Sequence, residues 1–215
     1  MINDPIVRLI ENLESSDYSQ QLIALGKLVE LGNTAIPYLD EALYRCILPA
    51  RIHAACAMAA IGSHDPRIIS GVIQLWEKHP RESLLNHALL VLVKNLSSMK
   101  KAESIPALIL FLPCFAWKSV NSEGQPDILI KGKEISLIAA EGLRWLANHQ
   151  PSRQLRDALP YLKRGLFSTK PQEFDDVRKV IEEKTQQWKD LPLVADAPKN
   201  TENLPLPADE EVSHG

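Results

Sequence analysis

Residues 50–62 read ARIHAACAMAAIG and residues 135–147 read ISLIAAEGLRWLA, one helical pattern written twice, 85 residues apart. ALGKLVELG at 24–32, AACAMAAIG at 54–62 and AAEGLRWLA at 139–147 share a small first residue, an aliphatic or Met at the fifth position and an aliphatic at the eighth. HALLVLV at 87–93 is a looser copy, with Ala88-Leu89 in the register of Ala57-Met58. Small residues along one helix stripe let a neighbouring helix approach closely, so the pattern describes helices stacked on helices. A second phrase falls on the helices between. AIPYLDEAL at 35–43, SIPALILFL at 104–112 and ALPYLKRGL at 158–166 each set a small residue and an aliphatic before Pro, with Leu two and six residues after it. Pro37, Pro106 and Pro160 then belong in first turns, where a missing N–H is tolerated.

Around these phrases, period-3.6 patterning covers most of the chain, and no stretch alternates as a strand does. Asp4-Pro5 and Asp65-Pro66 read as helix starts, and Gly32 and Gly62 as helix ends. The spacing predicts helices from Pro5 onward and over 18–31, 35–44, 50–61, 66–78, 82–96, 103–115, 133–147, 153–166 and 172–189. The helices at 84–96 and 104–115 are apolar nearly all round, as interior helices are. The final one has Phe174, Val177, Ile181 and Trp188 on one side and Asp176, Lys179, Glu182 and Glu183 on the other, which suits a terminal cap.

The alternation divides the chain into repeats at 4–32, 33–63, 64–97, 98–149 and 151–190. Over residues 4–190 it resembles the HEAT/armadillo class of helical repeats. The copy NTAIPYLDEALYRCILPARIHAACAMAAIG at 33–62 is close to the short HEAT-like form. The resemblance implies an all-α fold, a right-handed α-solenoid of about five hairpins whose second helices line a concave face. It also implies a binding or scaffolding role, since that family hosts scaffolds, transport receptors and a few enzymes.

Composition narrows the class. Hydrophobic residues at 45% and charged residues at 24% are ordinary for a soluble domain. The net charge of −3 is carried by residues 191–215, where Asp196, Glu202, Asp209, Glu210 and Glu211 face only Lys199. Residues 1–190 are therefore near neutral, which argues against a nucleic-acid partner. The tail, with its acidic excess, prolines and little periodicity, is expected to be disordered. No apolar run reaches membrane-spanning length, and MINDPIVRLIENL lacks the pattern of a secretory signal. Cys46, Cys56 and Cys114 are widely spaced and odd in number, which suits free thiols in a reducing cytoplasm.

Two places stand out as candidate binding surfaces. AWKSVNSEGQPDILIKG at 116–132 lengthens one repeat by about 18 residues, so 116–133 reads as an insertion loop carrying Trp117 and Lys118 toward a partner or ligand. Aligning the repeats places Gly26, Cys56, His87 and Glu141 in one column and Glu30, Ala60, Val91 and Trp145 in the next. A face of small, ionisable and aromatic residues can recognise a peptide or a planar ligand. Lys100, Lys101, Arg153, Arg156, Lys163 and Arg164 are interleaved with acids and read as a solvated face. Arg51 reads as a structural donor to Asp65 or to a carbonyl of the preceding turn, and Arg144 with Glu141 as a surface pair.

Chemistry is less visible. His53 and Cys56 stand three apart, but no third ligand lies at metal spacing nearby, so neither a metal nor any other cofactor is expected. There is no phosphate loop, GxSxG elbow or HExxH, and no His-Glu dipeptide of the kind that HEAT-fold hydroxylases use. A non-catalytic module binding a protein partner is the expectation. The alternative is a protein of the phycobilin lyase type, because the short repeats are similar to those of that family. That likeness implies a linear tetrapyrrole handled by Trp117, Trp145 and His87.

Overall fold

The computed structural model describes residues 4–116, 129–150, 152–164 and 171–187. All secondary structure among them is helical. The α-helices are α1 (Pro5–Leu13), α2 (Tyr18–Leu31), α3 (Ile36–Arg45), α4 (Leu48–Ile61), α5 (Pro66–Lys78), α6 (Ser83–Met99), α7 (Ile105–Phe111), α8 (Leu129–His149), α9 (Leu159–Arg164) and α10 (Pro171–Gln187).

The helix starts follow local chemistry. The Asp4 carboxylate accepts from the Ile6 N–H at 2.9 Å and Asp65 from Arg67 at 2.9 Å, each just before a first-turn proline. Asp17 caps α2 in the same way, accepting from Ser19 at 2.8 Å. A short 3-10 turn leads into each helix of the Pro-bearing phrase: Gly32–Thr34 before α3, Ala102–Ser104 before α7 and Arg153–Ala158 before α9.

That device corrects two expectations. The helices read at 103–115 and 153–166 begin later as α-helix, at Ile105 and Leu159, because their prolines must lie in the first turn. The former also ends early. Pro113 has no N–H to give and crowds the preceding turn, so α7 gives way at Leu112 to a 3-10 segment, Leu112–Ala116. In the other direction, α4 starts at Leu48 with Pro49 in its first turn, and α6 runs on to Met99. The segment read as a loop over 116–133 is helical from Leu129.

The helices pack in two layers. Consecutive ones pair as hairpins: α1 with α2, α3 with α4, α5 with α6, α7 with α8 and α9 with α10. The even-numbered helices pack in series, α2 on α4, α4 on α6, α6 on α8 and α8 on α10. Odd helices do the same from α1 through α3 and α5 to α7, which meets the 3-10 turn before α9.

The recurring phrases supply the seams. Ala24, Ala54 and Ala139, and the fifth-position Leu28, Met58 and Leu143, are all buried. The eighth position behaves differently. Leu146 is buried, Ile61 is half-buried and Leu31 is 40% exposed, because α2 has no preceding even helix to cover it. In the other phrase, Ala35, Ser104 and Ala158 and the leucines Leu39, Leu43, Leu108, Leu112 and Leu162 are buried. On α10, Phe174, Val177 and Ile181 face inward beside Thr185, and Asp176, Lys179 and Glu183 are exposed; Trp188 lies outside the described residues. The helix read as apolar all round at 84–96 is not fully enclosed: Leu84 is exposed and Leu90 and Val91 are half-buried, Leu90 lining a recess shared with α8.

One close approach lies between α6 and α8. A Cβ on Gly142 would stand 2.8 Å from the Ser97 hydroxyl and 3.3 Å from a Leu108 methyl. We expect Gly142→Val to destabilise the fold by about 1–3 kcal/mol through overpacking of this crossing, measured as a lower denaturant midpoint with an unchanged slope.

Candidate functional site

The candidate site lies between α6 and α8. Two recesses open there. The first, about 270 Å³, is lined by Ser83, Asn86, His87 and Leu90 of α6 and by Glu134 and Ile135 of α8. Its floor is fixed by Asn86, which accepts from the Trp76 indole N–H at 2.8 Å and donates to the Glu82 carbonyl at 3.2 Å. The second, about 350 Å³, is lined by Ser97, Lys100, Glu141, Gly142, Arg144, Trp145, Asn148 and His149.

The second recess is built around an aromatic pair. Trp145 and His149, one turn apart on α8, stack with centroids 4.3 Å apart and planes 10° from parallel. His149 Nδ1 lies 2.8 Å from the Trp145 carbonyl, which can only accept. The proton therefore sits on Nδ1, leaving Nε2 for other partners. The Lys100 ammonium lies 5.0 Å from the Trp145 ring centre, within cation–π range. Arg144 and Glu141 form an ion pair at 2.7 Å beside them.

Lys100 occupies an unusual backbone position. Helices α2 and α4 end on glycines with positive φ, Gly32 at 57° and Gly62 at 82°. At the corresponding end of α6 stands Lys100 at φ 53°, in the left-handed region that disfavours a side chain. Its carbonyl is held from the far helix by the Gln150 amide at 2.8 Å. A strained residue replaces the repeat's glycine at the place where its ammonium reaches the recess. Strain of this kind is retained where surrounding structure enforces it, often at functional sites.

The residues singled out from sequence fall in different places. Glu141 and Trp145 share the second recess, and His87 lines the first. Cys56, in the same column, is half-buried with its thiol 3.7 Å from the Leu84 carbonyl, at the α4–α6 seam. Burial pushes that thiol up to about 11, so it stays protonated and is a poor nucleophile. Cys46, pushed up to about 11 by burial and then by Glu14, and buried Cys114, pushed up to about 12, are alike in this. Trp117 and Lys118 lie outside the described residues. Arg51 donates to the Leu43 carbonyl at 2.8 Å, the second of its two expected roles. Lys100 and Arg156, read as part of a solvated face, have defined partners: Trp145 for Lys100 and the Thr185 carbonyl, at 3.2 Å, for Arg156.

Sequence reasoning missed Lys100, His149, Ser83 and Glu134 as site residues. No spacing marks the first: the interval from Gly32 to Gly62, repeated once, ends on Leu92, well short of Lys100. His53 is buried on α4 facing the Tyr18 ring, its Nδ1 without a hydrogen-bond partner, and no group of three metal-ligating side chains occurs among the described residues.

A scan against protein-family models, a search of curated proteins and a search of solved structures each find nothing that matches this chain.

Two measurements test the local physics. Burial lowers the pKa of His53 below its ordinary value of 6.5, so the native state holds it neutral. Its stabilising contribution is full above about pH 6.5 and is lost as pH falls through that value toward the lowered one, because the unfolded chain then binds the extra proton. The denaturation midpoint should fall more between about pH 7 and about pH 5 for the wild type than for His53→Leu. At position 100, Lys100→Gly should be more stable than Lys100→Ala by about 1 kcal/mol, the reverse of the order inside a helix. Equal stabilities would remove the strain argument.

Proposed function

We propose that residues 4–190 form a right-handed α-solenoid of five HEAT-like hairpins and act as a non-catalytic, cytoplasmic module. In this reading the module binds a protein partner along the open side of the even helices, aided by the 116–133 segment. The serial packing of odd on odd and even on even helices supports the solenoid reading. No helix among the described residues is long and apolar enough to cross a membrane.

The observation that carries the binding reading is the second recess. A half-buried tryptophan, ring-stacked and flanked by Lys100 and Arg144 at the edge of a groove, has the make-up of an interface anchor. The three protonated thiols and the absence of a motif for covalent or metal chemistry favour binding over catalysis.

The same stack supports a second reading, a flat anionic ligand of the linear tetrapyrrole type lying on Trp145 and His149 with its carboxylates toward Lys100 and Arg144. Adding a bilin to the purified chain separates the two. A shifted and strengthened absorption band would favour the pigment.

For the protein-binding reading, full-length chain should co-purify a partner at near-equal amounts, and Trp145→Ala should release it by about thirtyfold in affinity, as loss of an interface hot spot does. Recovery of no stoichiometric partner, or of one indifferent to Trp145→Ala in a variant with unchanged circular dichroism, sinks it.

A further inference from the structure

We propose that the acidic segment 191–215 of this chain docks on its own second recess, carboxylates beside Lys100 and Arg144, and there competes with the partner for Trp145. This adds regulation to the protein-binding reading of that face, and the competition rests on that reading.

The described fold ends beside that recess. Gln150, just past α8, holds the Lys100 carbonyl at the end of α6 at 2.8 Å. Arg156, in the turn that follows, holds the Thr185 carbonyl in the last turn of α10 at 3.2 Å. The ends of α6, α8 and α10 therefore lie side by side, with the lining residues Lys100, Trp145 and His149 among them. Packed helices lie about 10 Å apart, which puts Gln187 about 20 Å from the end of α6. Asp196, the first acid of the segment, has about 30 Å of extended chain between it and Gln187. All five acids of the segment are within tether length of Lys100.

Charge favours the meeting. The segment carries Asp196, Glu202, Asp209, Glu210 and Glu211 against Lys199. On the fold, Lys100 and Arg144 line the recess, Lys101 follows exposed, and exposed Lys94 stands one turn before the lining residue Ser97. The acids among them are Glu141, already paired with Arg144, and Glu103, so positive charge is in excess. The Lys100 ammonium faces the Trp145 ring, and no carboxylate among the described residues is paired with it. Leu191, Leu193 and Val194, at the start of the segment, bring apolar side chains for the half-buried Trp145. A tethered segment meets its site at about millimolar effective concentration, so a contact of about millimolar strength is closed about half the time. A few screened charge pairs with one apolar contact are of that strength.

The test uses the full-length chain labelled with nitrogen-15, in which Trp145→Phe identifies the Trp145 indole N–H signal by its loss. Asp196→Asn, Glu202→Gln, Asp209→Asn, Glu210→Gln and Glu211→Gln are introduced together. The Trp145 signal should move, and that of buried Trp76, the slowest to exchange into heavy water, should not. Raising salt from about 0.05 M to about 0.5 M should move the wild-type Trp145 signal the same way. In a Lys100→Gln background the five changes should move it much less. A Trp145 signal unmoved by the five changes, or moved equally with and without Lys100, overturns the proposal. A movement that fades on dilution assigns the contact to a second copy and overturns it too. The co-purified partner should bind the neutralised chain at least about twofold tighter, and an unchanged affinity overturns the competition. If the Trp145 signal stays put and Trp145→Ala still releases the partner, the segment's contact falls and the binding face stands. If the signal moves and Trp145→Ala retains the partner, the contact stands and the protein-binding reading falls.

Discussion

The molecule depends on how near two helix backbones can come. At the α6–α8 crossing the absence of a side chain at Gly142 lets the Ser97 hydroxyl and a Leu108 methyl occupy space that a Cβ would claim. Elsewhere in the even layer, alanines do the same work with one methyl each: Ala24, Ala54 and Ala139 are essentially without solvent contact. Dispersion attraction is lost steeply with a gap of even half an ångström, so this proximity is where the layer gains its cohesion. It also shapes the surface. The second recess opens at this crossing, with Ser97 and Gly142 in its lining.

Close stacking leaves helix ends to be satisfied from neighbouring elements. The Arg51 guanidinium reaches the Leu43 carbonyl at the end of α3, the Asn95 amide the Ala59 carbonyl near the end of α4, and Gln150 the carbonyl of Lys100. Arg156 serves α10 in the same manner. Each is a donor from a different helix or turn placed on a carbonyl at a helix end, where partners within the helix run out; the Ala59 carbonyl accepts from the Gly62 N–H as well. The Arg51 and Arg156 contacts lie within a hairpin, and those of Asn95 and Gln150 join successive hairpins; all share one logic with the recess at Lys100: a helix end reached from across a seam.

Much of the fold was legible in the sequence because its signals are local and periodic. Asp4-Pro5, Asp65-Pro66, Gly32 and Gly62 mark helix boundaries by backbone chemistry that needs no distant partner, and α2 and α5 have the bounds that reading gave. The 3-10 turns were not legible. A repeat phrase ending in proline shows where the α-helix must begin, but not that the residues before it wind tighter. The site was legible only in part. Trp145 and Glu141 were visible as a face; the partners that give them meaning come from α6, some 45 residues earlier in Lys100, and no local pattern records that meeting. Cys56 shared the alignment column of Glu141 yet turns into a seam, because a column fixes the side of a helix and not the depth of the neighbour beside it.

The three thiols carry a last consequence. Cys46 and Cys56 sit near 11 and Cys114 near 12, each chiefly through burial. At neutral pH only about one in ten thousand of the first two is ionised, and thiolate is the species that peroxides, disulfides and alkylating agents attack. Each thiol therefore stays protonated at neutral pH and reacts slowly with such reagents.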